Sequence, residues 1–325
     1  MSKQDINFSI WADYIERDFL QNDFKKMIDE GSVTGATSNP AIFKNAFLTS
    51  NAYEGQKRDL GGVKGKALYE ALAITDIQIA ADMLRPLYDA GNDGFVSIEI
   101  DPFYSEDVAA SIEEGISLYR KIDRPNVMIK VPATKAGYEV IKTLMSRGIH
   151  VNATLIFSLG QAQKVMQAVR AAHAPEGTKS VISVFVSRFD RVIDDMVPSD
   201  LMGMAGVLNA SRIYNEIEAG GIDGLRCLFA STGVKDRARY DEAYYIEELI
   251  GKNAVNTAPL DTIAAYKKKR FTQIALPRDN GQIDRYFGVL AQRKIDFAHV
   301  ARELLEDGLL QFKDAFRDII NELEK

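Results

Sequence analysis

VMIKVPAT, residues 127–134, sets Lys130 inside an apolar run of Val127, Met128, Ile129 and Val131. A short continuous run of this kind reads as a strand buried on both faces, the form strands take in parallel sheets. Helical periodicity flanks it on both sides, in EDVAASIEEGISLYRKI (106–122) and AGYEVIKTLMSRG (136–148). Helix, buried strand and helix in succession form the repeat unit of an α/β protein. The ammonium inside the strand needs its own explanation, because lysine is almost never fully buried without a partner.

Moving outward, seven further strands are predicted at 9–15, 32–40, 94–101, 150–157, 180–190, 225–232 and 253–259, with the central one at 126–133. Between them lie segments of helical spacing, such as ALYEALAITDIQIAADMLRPLYDAG (67–91), which closes on Gly91 as helices often do. The alternation runs without a break in composition. It predicts one domain over residues 1–325, a single (β/α)8 TIM barrel. From about residue 283 to 325 the pattern is helical only, with Leu305, Leu309, Phe312, Phe316, Ile320 and Leu323 on one stripe. This C-terminal helical extension packs either on the outside of the barrel or partly across its mouth.

An open Rossmann-type sheet is the alternative, but its glycine fingerprint is missing after the first strand. GGVKGKA (61–67) faintly resembles a phosphate loop, yet Leu60 stands where that loop's first glycine belongs, and no strand precedes it. It is read as a loop leading into a helix.

The bulk composition excludes several function classes. The 325 residues are 46% hydrophobic and 26% charged, with a formal net charge of -6. That is ordinary globular composition and not that of a general nucleic-acid binder. Lys267 to Arg270 form a short basic run, read as a solvated face. Cys227 is the one cysteine, read as a small buried hydrophobe. His150, His173 and His299 are scattered, no pair has metal-ligand spacing, and no metal is expected. No run reaches the roughly twenty apolar residues of a membrane span. MSKQDINFSIW lacks the pattern of a signal peptide, so the cytoplasm is expected.

In a (β/α)8 barrel, chemistry sits at the carboxyl ends of the strands. The polar residues late in the predicted strands are Asp13; Thr37 and Asn39; Glu99; Lys130; Asn152 and Thr154; Ser183 with Arg188 just beyond; and Ser231 followed by Lys235. Each has a structural alternative. Asp13 could cap a turn, Asn39 before Pro40 could form one, Glu99 and Lys130 could be a buried ion pair, and Arg188 with Asp190 a surface pair. Polar groups from nearly every strand at one mouth are harder to explain that way, since a stable barrel needs none of them.

The set supports carbonyl chemistry. A free lysine is neutral in roughly one molecule in several thousand at pH 7, and burial disfavours the cation. A neutral amine attacks a ketone to give a Schiff base, whose iminium withdraws electrons from the neighbouring carbon–carbon bond. A carboxylate such as Asp13 can remove the hydroxyl proton that cleavage requires. Glu99 can shuttle protons through a water held by Thr154. Asn39 and Asn152 can orient hydroxyls, and Arg188 and Lys235 can hold a terminal phosphate.

At these motifs the chain resembles the transaldolase family along essentially its whole length. SIWADYIERDFL (9–20), GATSNPAIF (35–43), SIEID (97–101), MIKVPAT (128–134), VNATLIFS (151–158), ISVFVSRFD (182–190), LFASTGVKD (228–236), EELIGKNAVNTAP (247–259) and GLLQFKDAF (308–316) look like the family's signatures in order. The form is similar to a bacterial branch with ASTxxK after the seventh strand. The resemblance implies a (β/α)8 barrel with Lys130 as the Schiff-base lysine, Asp13 as acid/base, and Glu99 with Thr154 around a catalytic water. It implies donor-binding roles for Asn39, Asn152 and Ser183, a pocket-lining aromatic at Phe185, and a phosphate site at Arg188 and Ser231. Where another branch has an arginine soon after the serine, this chain has Gly233 and then Lys235, which becomes the implied phosphate ligand. The implied reaction moves a dihydroxyacetone unit from sedoheptulose 7-phosphate to glyceraldehyde 3-phosphate, giving erythrose 4-phosphate and fructose 6-phosphate. It belongs to the pentose phosphate pathway and uses no cofactor. The expected partners are sugar phosphates, with no nucleic acid and no membrane; homo-oligomer formation is left open. A Schiff-base aldolase releasing free dihydroxyacetone and a non-catalytic barrel are the rivals.

Overall fold

The computed structural model describes residues 6–269 and 273–325. Eight parallel strands close into a barrel in sequence order. They are β1 (Ser9–Ala12), β2 (Gly35–Thr37), β3 (Val96–Glu99), β4 (Val127–Pro132), β5 (His150–Ile156), β6 (Ser180–Phe185), β7 (Leu225–Ala230) and β8 (Ala254–Ala258). Each falls inside a stretch read from the sequence as a strand. Closure is made by β8 against β1, with Ser9 opposite Val255 and Trp11 opposite Thr257. The chain is a (β/α)8 TIM barrel.

The main helices are α1 (Pro40–Thr49), α2 (Gly65–Asp89), α3 (Val108–Ile122), α4 (Lys135–Ser146), α5 (Leu159–Ala171), α6 (Ser187–Ile193), α7 (Met204–Gly220), α8 (Leu260–Lys268), α9 (Asn280–Gln292) and α10 (Phe297–Leu323). Strand-to-helix turns are written in side chains that satisfy the first free amides. Thr134 Oγ1 accepts from Gly137 N at 3.0 Å to start α4. Ser158 and Gln161 form a reciprocal capping box that starts α5.

The strands are shorter than the stretches read for them, and three departures matter most. The strand expected over 180–190 stops at Phe185, and Ser187, Arg188 and Asp190 belong to α6. The neighbouring β7 ends at Ala230, and the last bonds across are Val186 N to Ala230 O and Ser187 N to Ser231 O. Beyond that point the backbone has no ladder partner and coils. The strand expected over 32–40 shrinks to Gly35–Thr37, because Pro40 opens α1. The C-terminal extension divides into α9 and α10.

Inside the barrel, the strand period of two stacks an apolar residue beneath several of the positions near the mouth. Trp11 lies below Asp13, Met128 below Lys130, Val181 below Ser183, Leu228 below Ala230 and Val255 below Thr257; these five lower residues are buried in one cluster. Gly35 is required there, since a Cβ on it would stand 2.5 Å from the Trp11 indole nitrogen. The polar mouth therefore rests on a packed floor.

α10 packs on α1 and α2 and also reaches the mouth. Phe316 sets its ring edge-on to Tyr69 of α2 at 4.9 Å, and Lys44 of α1 pairs with Asp318 at 2.6 Å. Gly308 brings the helix close: a Cβ there would lie 3.0 Å from Leu155 and 3.5 Å from Arg188.

Candidate active site

At the carboxyl ends of the strands is a cavity of about 160 Å³. Lys130 lies in its wall, 5% exposed, two residues short of the end of β4. Its Nζ donates to the Ser38 carbonyl at 2.9 Å and stands 3.6 Å from Glu99 Oε2. The register explains this: Glu99, Lys130 and Asn152 are directly opposite one another on β3, β4 and β5.

Two carboxyls face this one amine, in different surroundings. Burial pushes Glu99 up to about 7; Lys130 opposes the rise and the charge of Asp13 adds to it. Glu99 Oε2 is buried without a hydrogen bond. Asp13, which lines the cavity, is also raised by burial, but Lys130 and a hydrogen bond from Thr37 both favour its charged form. Thr37 Oγ1 donates to Asp13 Oδ1 at 2.7 Å, and lies 2.7 Å from Thr257 Oγ1. Neighbouring carboxyls in unlike environments are how one site holds an acid and a base together.

Neutral polar groups fill the next positions. Asn39 caps α1: its Oδ1 accepts from Ile42 N at 3.0 Å, so the cap and the cavity share one side chain. Asn152 Oδ1 accepts from Ser183 Oγ at 2.6 Å, and its Nδ2 donates to Ser97 Oγ at 3.2 Å. Thr154 Oγ1 lines the cavity, buried and without a hydrogen-bond partner. Leu155 and Ser231 hold positive φ angles of 57° and 56°, uncommon for side chains of their kind. The β5–β6 register shifts between Ala153 and Ile156. Irregular backbone of this sort gathers where side chains must be re-aimed.

The far end of the cavity is basic. Arg188, on the first turn of α6, lays its guanidinium 5.3 Å from the Phe185 ring centre. Burial pulls Arg188 below its ordinary range, Arg191 adds to that, and Asp307 opposes it. Its Nη1 is buried without a hydrogen bond, 3.7 Å from Asp307 Oδ2 of α10. Ser231 Oγ stands 3.1 Å from Ser187 Oγ nearby. Gln311 and Phe312 of α10 complete the wall.

The structure thus brings Asp13, Asn39, Lys130, Thr154, Ser183, Phe185, Arg188 and Ser231 to one cavity, with Glu99 and Asn152 in contact with them. Lys235 is placed elsewhere. It is exposed and lines a separate depression with Arg191, Asp194, Asp195 and Arg239. The chain turns away after Ser231 because Thr232 Oγ1 is fixed to the Thr257 carbonyl at 2.7 Å and Val234 is buried. Asp190 does not pair with Arg188; it is buried, accepting from Gly206 N at 2.9 Å and from the Tyr245 hydroxyl at 2.8 Å.

Thr257, Gln311 and Phe312 line the cavity without having been singled out as site residues, and Thr37, noted late in the second strand, also lines it although no role was read for it. The signal for Thr257 was present: it follows Val255 by two in NAVNTAP, late in the eighth strand. Nothing local marks Gln311.

The remaining sequence features find structural roles. Cys227 is buried and its thiol is pushed well up. His150 is buried and held neutral, lowered to about 4. Lys267 pairs with Glu30, and Lys269 with Asp241 and Glu247, while Arg270 lies outside the described residues. Gly65 opens α2 after the glycine-rich loop. Among the described residues no helix is long and apolar enough to cross a membrane.

Comparison with known proteins agrees with this geometry. The family model described as Transaldolase/Fructose-6-phosphate aldolase matches residues 10–323. The chain is 43% identical to a protein named transaldolase from Helicobacter pylori (strain P12), over 96% of this chain and 98% of that one. It is 47% identical to a protein named transaldolase from Campylobacter jejuni subsp. jejuni serotype O:23/36 (strain 81-176), over 98% and 99% of the two chains. The chain belongs to the transaldolase/fructose-6-phosphate aldolase family.

Proposed function

We propose that this protein is a cytoplasmic transaldolase. It carries a dihydroxyacetone unit from sedoheptulose 7-phosphate to glyceraldehyde 3-phosphate, yielding erythrose 4-phosphate and fructose 6-phosphate in the pentose phosphate pathway. The observation that carries the reading is Lys130, buried in the cavity wall and faced by Glu99 and Asp13.

The amine of Lys130 attacks the donor's ketone carbon. Glu99, poised near neutrality, supplies a proton as the carbinolamine loses water and the iminium forms. Thr154, with its free hydroxyl, is assigned to hold the water through which that proton passes. Asp13 removes the proton from the hydroxyl on the carbon beyond the scissile bond. The C–C bond breaks, its electron pair moves to the iminium nitrogen, and the aldose phosphate leaves. The enamine then attacks the aldehyde of the acceptor, whose oxygen takes the proton back from Asp13. Hydrolysis of the new imine frees the ketose phosphate and restores the amine. The scheme draws on no cofactor, because the iminium nitrogen is the electron sink.

Asn39, Asn152 and Ser183 bind the donor's hydroxyls, and Phe185 shapes the wall. Arg188, with an uncommitted buried N–H, and Ser231 hold the terminal phosphate. The exposed position of Lys235 argues against a direct share in phosphate binding. The test is donor consumption measured with and without an aldehyde acceptor. Turnover that depends on the acceptor is expected; comparable turnover without it would make the protein an aldolase releasing dihydroxyacetone.

A further inference from the structure

The carboxylate of Asp13 does not stand alone. Thr37 of β2 and Thr257 of β8 are 2% and 3% exposed, and both line the cavity. Thr37 Oγ1 is 2.7 Å from Asp13 Oδ1 and 2.7 Å from Thr257 Oγ1. A hydroxyl has one proton to donate. While Asp13 is ionised it can only accept, so the Thr37 proton is committed to it. The contact between the threonines must then be donated by Thr257. The direction of the whole chain follows from donor count.

We propose that Thr257 is a positioning residue for Asp13: its hydroxyl donates to Thr37, commits the Thr37 proton to the carboxylate, and holds Asp13 in the ionised form that takes a proton from substrate. The inference rests on the reading of Asp13 as the base. Hydrogen bonds in a buried chain polarise one another, so the second donor strengthens the first. The chain also reverses without loss. When Asp13 holds a proton on Oδ1, that O–H donates to Thr37, Thr37 donates to Thr257, and the Thr257 proton is turned toward the cavity. Two hydroxyl rotations connect the arrangements, and every proton has a place in each.

The other charged groups around Asp13 are Lys130 from β4 and Glu99 from β3, with Arg188 of α6 in the same cavity wall. Thr37 and Thr257 are the groups facing it from β2 and β8, and α10 contributes only the uncharged Gln311 and Phe312 to the cavity. No hydrogen bond joins Thr257 to Glu99 or Lys130 among the described residues. A change at Thr257 therefore reads out on Asp13. The backbone of Thr257 is fixed separately, by Thr232 Oγ1 at 2.7 Å.

The test uses the full-length protein. The pH dependence of kcat/KM for ketose-phosphate cleavage is compared for wild type, Thr257→Val and Thr257→Ser. Each is also trapped with borohydride and fructose 6-phosphate. The valine variant should keep its melting temperature and its trapping. Its acid limb should move to higher pH by about half to one unit, the size of one weakened hydrogen bond. The serine variant should restore the wild-type limb. Thr257→Ala gives the same reading if valine disturbs the fold. Superimposable limbs for wild type and valine, with trapping intact, would overturn the role of Thr257 alone. So would a serine limb displaced as far as valine, since shape and not the hydroxyl would then be responsible. A wild-type protein that cannot be trapped would overturn the lysine reading and this inference with it.

Discussion

At the scale of single residues, the site depends on an amine, two carboxyls and a guanidinium held out of water. Lys130→Ala should abolish turnover while the protein still folds. The substitution removes a buried amine, which relieves desolvation, and it leaves a cavity; the two effects oppose each other. A melting temperature within a few degrees of wild type is expected, and a collapse of the melt would make the lysine structural. Arg188→Ala should act differently. Its Nη1 is buried without a hydrogen bond, so its partner is expected from the substrate. KM for phosphorylated ketoses should rise about tenfold or more, with less change for unphosphorylated ones. Equal losses for both would remove the phosphate role. Glu99 gives a prediction in pH. Its carboxyl is raised from 4.5 to about 7, so the folded state binds a proton more tightly than the unfolded chain. Stability therefore falls as pH rises through that window and stays lowered above it. Glu99→Gln should gain stability relative to wild type from pH 4.5 to 7 and then level off, by up to about 3 kcal/mol. Thermal melts of both proteins across this range check it, and a difference that shrinks with pH would contradict the assignment.

At the scale of elements, α10 is where a structural helix becomes part of the site. Gly308→Ala places a methyl 3.0 Å from Leu155 and 3.5 Å from Arg188, so the helix must give way by a few tenths of an ångström. A loss of about 1–2 kcal/mol is expected, together with weaker binding of phosphorylated substrates. An unchanged melt and unchanged KM would show that α10 yields freely. The same helix marks the limit of what the sequence disclosed. Its apolar stripe was legible in part: Phe312, Phe316 and Leu323 are buried, whereas Leu305, Leu309 and Ile320 are half-buried and the buried face runs through Leu304, Gly308, Ala315 and Ile319. Its path across the mouth was not, because long-range packing against α1 and α2 decides it. All eight strands were legible, since buried parallel strands are short, mostly apolar runs set between helical segments. Their ends were not: Ser187–Ile193 coils because β7 offers it no further ladder, which no local pattern states. Among polar residues, those two apart on one strand gave themselves away, as Asn152 and Thr154 did. Lys235 was read from spacing within a loop, and the loop turns it outward.

At the scale of the whole molecule, closure of the barrel is what makes the chemistry available. Asp13 directly follows β1, Thr37 and Thr257 belong to β2 and β8, and the three meet only because β8 pairs with β1. Glu99, Lys130 and Asn152 come from consecutive strands in matching register. The floor of Trp11, Met128, Val181, Leu228 and Val255 keeps this polar layer at the mouth. The burial of Lys130 and the carboxyls beside it single out its amine as the group to test. The direct test is to incubate the protein with fructose 6-phosphate, reduce with borohydride, and locate the added mass by peptide mapping. Mass on the peptide containing Lys130, absent in Lys130→Ala, is the expected result. An unmodified wild-type chain, or mass on another lysine, would contradict the Schiff-base assignment.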